Sequence, residues 1–108
     1  MRVLGVDPGT ATLGYGVVEA EPRGAARLVE CGIIRTKASD PFPARLKIIH
    51  DGIRELIERH RPDCVAVEDA FYAKNVRTTI ALSQARGVIL LAAEQAAVEI
   101  AEYEPRLV

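Results

Sequence analysis

Soft metal ligands are scarce in this sequence. It has two cysteines, Cys31 and Cys64, and two histidines, His50 and His60. Their scatter gives no zinc-site spacing. No apolar run approaches the roughly 20 residues that a membrane span requires. The N-terminus is strand-like from Val3 and shows no export signal, so a cytoplasmic protein with no membrane partner is expected. The cysteines lie in apolar segments and read as buried free thiols of a reducing compartment, a disulfide between them being the alternative. Positive charge is not in excess either. The formal net charge is −1, so any basic surface for nucleic acid must be local. The phosphate-loop pattern G-x-x-x-x-G-K-[ST] and the dinucleotide pattern G-x-G-x-x-G are both missing.

What is present suffices for one small domain spanning 1–108. The chain has 108 residues, 49% of them hydrophobic and 27% charged, which allows a packed core but not two domains. Arg2 to Asp7 reads as a strand, and Pro8-Gly9 as a turn. Leu13 to Glu21 and Arg27 to Thr36 read as two more strands, joined by the turn residues Glu21-Pro22-Arg23-Gly24. Short connections make these three an antiparallel meander. The period then changes. Asp40-Pro41 has the form of an N-cap followed by proline. Leu46, Ile49, Ile53, Leu56 and Ile57 recur at helical spacing until Arg61-Pro62. Cys64 to Val67 is a short apolar strand closed by Glu68-Asp69. Asn75 caps a second helix running to about Ala97, apolar on nearly every side from Val88 to Ala93. Such a helix packs on more than one face, the second against a partner subunit. Val98 to Tyr103 reads as a fifth strand. The expected class is α/β, a mixed sheet flanked by helices.

Two acids stand out. Asp7 closes the first strand and Glu68 the fourth. If these strands pair in parallel, both carboxylates emerge at one sheet edge, where open α/β sheets bind ligands. Adjacent carboxylates repel, and a divalent cation removes that penalty. Oxygen ligands suit Mg²⁺ or Mn²⁺. Two such ions about 4 Å apart suit phosphodiester hydrolysis. The alternative is that Asp7 only caps its turn and Glu68 is a surface charge. Gly5, Gly9, Gly14 and Gly16 admit a phosphate or nucleic-acid backbone, or else serve tight turns and close packing. Phe71 and Tyr72, then Lys74, Asn75 and Arg77, suit unstacked bases and phosphates. Alternatively Phe71 is a core anchor and the cations a solvated helix start. Gln84 lies further along that helix, and Arg86 beside it reaches phosphate or pairs with a glutamate.

These residues resemble the RuvC family of Holliday-junction resolvases. The likeness runs from Val3-Leu4-Gly5-Val6-Asp7-Pro8-Gly9-Thr10 through Gly14-Tyr15-Gly16-Val17, Ile34-Arg35-Thr36 and Arg45-Leu46-Lys47-Ile48-Ile49. It continues in Val67-Glu68-Asp69-Ala70-Phe71-Tyr72-Ala73-Lys74-Asn75, Gln84-Ala85-Arg86-Gly87-Val88 and Tyr103-Glu104-Pro105-Arg106. The resemblance implies an RNase H-like fold and a homodimer that cuts four-way DNA junctions in recombination and repair by metal-dependent hydrolysis. It implies further that Asp7 and Glu68 are metal-binding catalytic acids, that Phe71 contacts bases, and that a branch-migration motor complex is a partner. The family's remaining acids lie on a C-terminal helix beyond the Tyr-x-Pro-Arg block. The sequence therefore reads as C-terminally truncated, with impaired or no cleavage of its own. Two other readings stand beside this one. One is a non-catalytic junction-binding or dimerisation module. The other is a sugar-kinase-like phosphotransferase, since those proteins also open with Asp-x-Gly-Thr.

Overall fold

The computed structural model describes residues 1–68 and 75–103. Chain order is β1 (Arg2–Asp7), β2 (Thr12–Ala20), β3 (Ala26–Arg35), α1 (Phe42–His60), β4 (Cys64–Glu68), α2 (Val76–Gln95) and β5 (Glu99–Tyr103). The strands form one mixed sheet in the order β3-β2-β1-β4-β5. The first three pair antiparallel, whereas β1–β4 and β4–β5 are parallel. This is the meander followed by helical crossovers that the turn lengths and the change of period predict.

Alternation along the strands gives the sheet two unlike faces. Leu4 and Val6 of β1, Leu13 and Val17 of β2, and Val65 and Val67 of β4 are fully buried. They share one core with Ile49, Ile53, Leu56 and Ile57 of α1 and with Ala85, Ile89, Ala92 and Ala93 of α2. Both helices therefore lie on the same face. The small alanines let α2 approach the sheet and α1 closely. The opposite face carries Val3, Gly5 and Asp7 of β1, Gly14 and Gly16 of β2, and Ala66 and Glu68 of β4. No helix among the described residues covers it. On β3 the residues turned to that side, Leu28, Cys31 and Ile33, are exposed.

Several local expectations are corrected. The N-cap of α1 is Pro41, not Asp40, and no side chain caps this helix. The Asp40 amide is taken up instead by the Lys37 carbonyl, 3.0 Å away. Arg61 ends α1 in the left-handed conformation, its N–H donating to the Ile57 carbonyl at 2.8 Å. The end of α2 is Gln95, slightly short of Ala97. Both cysteines are free, as expected, but only Cys64 is buried. Cys31 is exposed because it sits on the outward side of an edge strand. The start of α2 follows the expectation: Asn75 Oδ1 accepts the Thr78 N–H at 2.9 Å. No described helix is long and apolar enough to cross a membrane.

Candidate functional site

The centre of the sheet positions Asp7 and Glu68. Val6 of β1 is registered on Val67 of β4, so the next residue along each parallel strand stands beside the other. Val6 and Val67 point into the core, which turns both acids to the helix-free face. There the Glu68 carboxyl lies within interaction range of the Asp7 carboxyl. This contact, together with partial burial and the repulsion of the Asp7 charge, holds the Glu68 pKa above the usual carboxylate range. A proton on Glu68 or a nearby cation relieves this contact, because two bare carboxylates so close together are unfavourable.

The surroundings leave the pair accessible. Asp7 is registered on Gly14, and Gly5 on Gly16, so no side chain of β2 shields the acids at these positions. Gly9 answers a different need. A β-carbon there would meet the Thr12 carbonyl oxygen at 2.0 Å, so the turn after Asp7 admits only glycine. Among the described residues no third histidine, cysteine, aspartate or glutamate joins a group able to hold a metal.

The other sequence-predicted residues are placed unevenly. Phe71, Tyr72 and Lys74 lie outside the described residues. Asn75 uses its side-chain carbonyl to cap α2. Arg77 and Gln84 line a groove of about 550 Å³ with Thr10, Phe42, Arg45, Val76, Ile80 and Ala81. This groove adjoins the turn that follows Asp7. Arg86 is ion-paired with Glu102 of β5, on the helix-covered side of the sheet. Sequence reasoning assigned no role to Arg45 or Thr36, although Arg45 Nε donates to Thr36 Oγ1 at 3.0 Å and Thr36 Oγ1 donates to the Thr10 carbonyl. Thr36 ends the third expected strand and Arg45 lies at the start of a helical run, but their pairing joins segments distant in the chain, which no local pattern signals.

The outer face of α2 is also unlike that of an ordinary surface helix. Its buried residues Ala85, Ile89, Ala92 and Ala93 define one side. The opposite side carries Val76, Ile80, Gly87 and Leu91 at helical spacing. Val76 is 74% exposed, Ile80 53% and Leu91 51%. No atom would lie within 4 Å of a β-carbon added at Gly87.

Comparison with known proteins places this architecture. The chain is 51% identical over 108 residues to the crossover junction endodeoxyribonuclease RuvC of Chloroflexus aggregans, covering 100% of this chain and 65% of that protein. It is 51% identical over 105 residues to the protein of the same name from Moorella thermoacetica, covering 97% and 62%. The chain thus spans just under two thirds of the length of these relatives. Among solved structures it is similar to T. thermophilus RuvC in complex with Holliday junction substrate, with a TM-score of 0.91 and 35% identity over 98% of this chain and 67% of that one. The yeast mitochondrial Holliday junction resolvase Ydc2, at 14% identity and a TM-score of 0.72, shares the fold, which is the RNase H-like fold of these resolvases. The family model for crossover junction endodeoxyribonuclease RuvC matches residues 3–108. A match from the first strand to the last, with both strand-end acids inside it, leaves one assignment: the chain belongs to the RuvC family.

Proposed function

We propose that this chain carries the acid pair of a divalent-metal-dependent endonuclease that resolves four-way DNA junctions. One observation carries the reading: the neighbouring carboxyls of Asp7 and Glu68 at the carboxyl ends of adjacent parallel strands, on the sheet face that no described helix covers. The donor set fits a hard dication. Both ligands are carboxylate oxygens, their mutual contact is relieved by positive charge, and no sulfur or imidazole stands with them among the described residues. Asp7 and Glu68 would hold Mg²⁺ or Mn²⁺, two ions in a complete site, with further oxygen donors from water and from acids outside the described pair. When bound, such ions activate water and stabilise the leaving oxygen of a phosphodiester.

The rest of the proposal concerns how the chain receives DNA. The relative of known structure was solved with a Holliday junction, and the groove beside the Asp7 turn offers Arg77, Gln84 and Arg45 to a nucleic-acid backbone. The glycines facing Asp7 leave room for a phosphate. Phe71, Tyr72 and Lys74 are proposed to stack on bases and neutralise phosphates. Asn75 is proposed to set the start of α2 and to meet DNA there. Arg86 contributes by fixing α2 to β5 through Glu102. The exposed stripe of Val76, Ile80, Gly87 and Leu91 is proposed to meet the same stripe of a second copy. An isologous pair presents two equivalent sites to a two-fold junction. The free cysteines suit a reducing compartment such as the cytoplasm.

Two carboxylates alone leave most of an octahedral shell unfilled, so a complete site draws further oxygen donors. The test uses a synthetic four-way junction with Mn²⁺. A relative of full family length should cut it, and Asp7→Asn or Glu68→Gln, made at the matching positions, should reduce cutting to background. Undiminished cutting by either variant would refute the site. Binding of junction DNA by this chain without cutting at any Mn²⁺ concentration is the result expected of a purely junction-binding module.

A further inference from the structure

Three segments distant in sequence meet behind the turn that follows Asp7. They are the turn itself at 8–11, the residue just beyond β3, and the first turn of α1. Thr36 is the joint. Its amide donates to the Ala11 carbonyl at 3.0 Å. Its hydroxyl donates to the Thr10 carbonyl and accepts from Arg45 Nε. Arg45 is itself held, with its guanidinium 5.5 Å from the centre of the Phe42 ring.

The turn between Asp7 and Thr10 has little slack. Pro8 is buried and fixes its own φ. Gly9 passes so close to the Thr12 carbonyl that a β-carbon would stand 2.0 Å from it. Movement of the Thr10 carbonyl must therefore pass to Asp7 rather than be absorbed on the way. We infer that Thr36 and Arg45 are positioning residues, locking the turn so that the Asp7 carboxyl stays against Glu68. The hydroxyl of Thr36 is used both as donor and as acceptor, so serine can replace it and valine cannot. This inference rests on the metal-site reading of Asp7 and Glu68 for its functional meaning, but the lock is a property of the chain alone.

The test compares Thr36→Val, Thr36→Ser and Arg45→Gln in the chain as it stands. Mn²⁺ binding is read by electron paramagnetic resonance. Loss of a group bonded directly to a metal ligand weakens affinity by roughly 10–100-fold, and the same scale is applied to Thr36, which holds the turn that carries Asp7. Thr36→Val should fall in that range while melting as one cooperative unit, and Thr36→Ser should restore wild-type binding. Arg45→Gln should weaken binding in the same direction, and it replaces Thr36→Val if that variant does not fold. Folded Thr36→Val with wild-type Mn²⁺ affinity overturns the inference, and so does a Thr36→Ser variant that fails to restore it. A second readout separates this from failure of the metal reading. If the wild-type chain binds no Mn²⁺ that Asp7→Asn abolishes, the metal reading falls. The lock is then judged by the nuclear Overhauser contact between the Asp7 and Glu68 side chains. Loss of that contact in Thr36→Val and its return in Thr36→Ser support the lock; its persistence in Thr36→Val overturns it.

Discussion

Asp7 and Glu68 stand side by side because Val6 and Val67 are paired one step earlier, and their carboxyls lie close together on the face that α1 and α2 leave bare. A contact of that kind stores electrostatic cost, and its removal should be visible in stability.

The raised Glu68 pKa fixes the sign of a pH effect. The folded chain holds this proton more tightly than the unfolded chain does. Its contribution is therefore fully present below the ordinary glutamate range and is lost as pH rises through the elevated folded value. Asp7→Asn removes the repelling charge. In metal-free buffer it should melt higher than wild type at neutral pH, and the difference should shrink in acid. Thermal unfolding in EDTA from acid to neutral pH measures this. A variant less stable than wild type at neutral pH would count against the contact.

Added Mn²⁺ should reverse that order. A ligand that binds only the folded state stabilises by about 2.7 kcal/mol at a hundredfold excess over its dissociation constant. The wild-type melting temperature should rise with Mn²⁺ concentration. Asp7→Asn and Glu68→Gln should show little or no rise.

The outer stripe of α2 should mediate self-association. Ile80→Glu and Leu91→Glu place charge where apolar surface is exposed, so the monomer fold should be kept. Truncating or charging a central apolar contact commonly costs more than about 1–2 kcal/mol at an interface. Sedimentation velocity across a concentration series should show the variants shifted to monomer relative to wild type. Identical profiles would exclude this face.

Two substitutions on or beside α2 should act in opposite directions. Asn75→Ala removes the acceptor for the Thr78 amide and should cost about 1 kcal/mol in denaturant unfolding. Gly87→Ala meets no neighbour and lies inside the helix, so it should gain up to about 1 kcal/mol in the monomer. If the stripe around Gly87 receives a second copy closely, the same change should weaken dimerisation while strengthening the fold.

The fold was legible because its signals are periodic. Strand alternation around Leu4, Val6, Val65 and Val67, and helical recurrence from Ile49 to Ile57, each reflect burial on a single face. The position of the acid pair followed from strand ends and from parallel pairing. What resisted reading was set by contacts between distant segments. Asp40 has every local mark of a helix cap, yet the cap position falls to Pro41, and Asp40 instead ends a turn whose amide bonds to Lys37. Cys31 sits in an apolar run, yet only the topology makes its strand an edge. Arg86 faces Glu102 because β5 lies beneath α2, and nothing local to either residue says so. Thr36 and Arg45 matter through a carbonyl of the Asp7 turn, an acceptor that every residue possesses and that leaves no mark in a sequence.

The strand order also governs when the acid pair can come into being. Asp7 enters with the first hairpin, formed from neighbours in the chain. Glu68 arrives only after α1 has crossed over and β4 has found the free edge of β1. Non-local pairings of this kind are the slow ones in folding, because chain entropy is lost before they form. A partly synthesised or partly unfolded chain thus carries single, separated carboxylates, each too poor a ligand to concentrate a dication. The capacity to assemble such a centre is withheld until the sheet is closed, and it is surrendered as soon as β4 leaves β1.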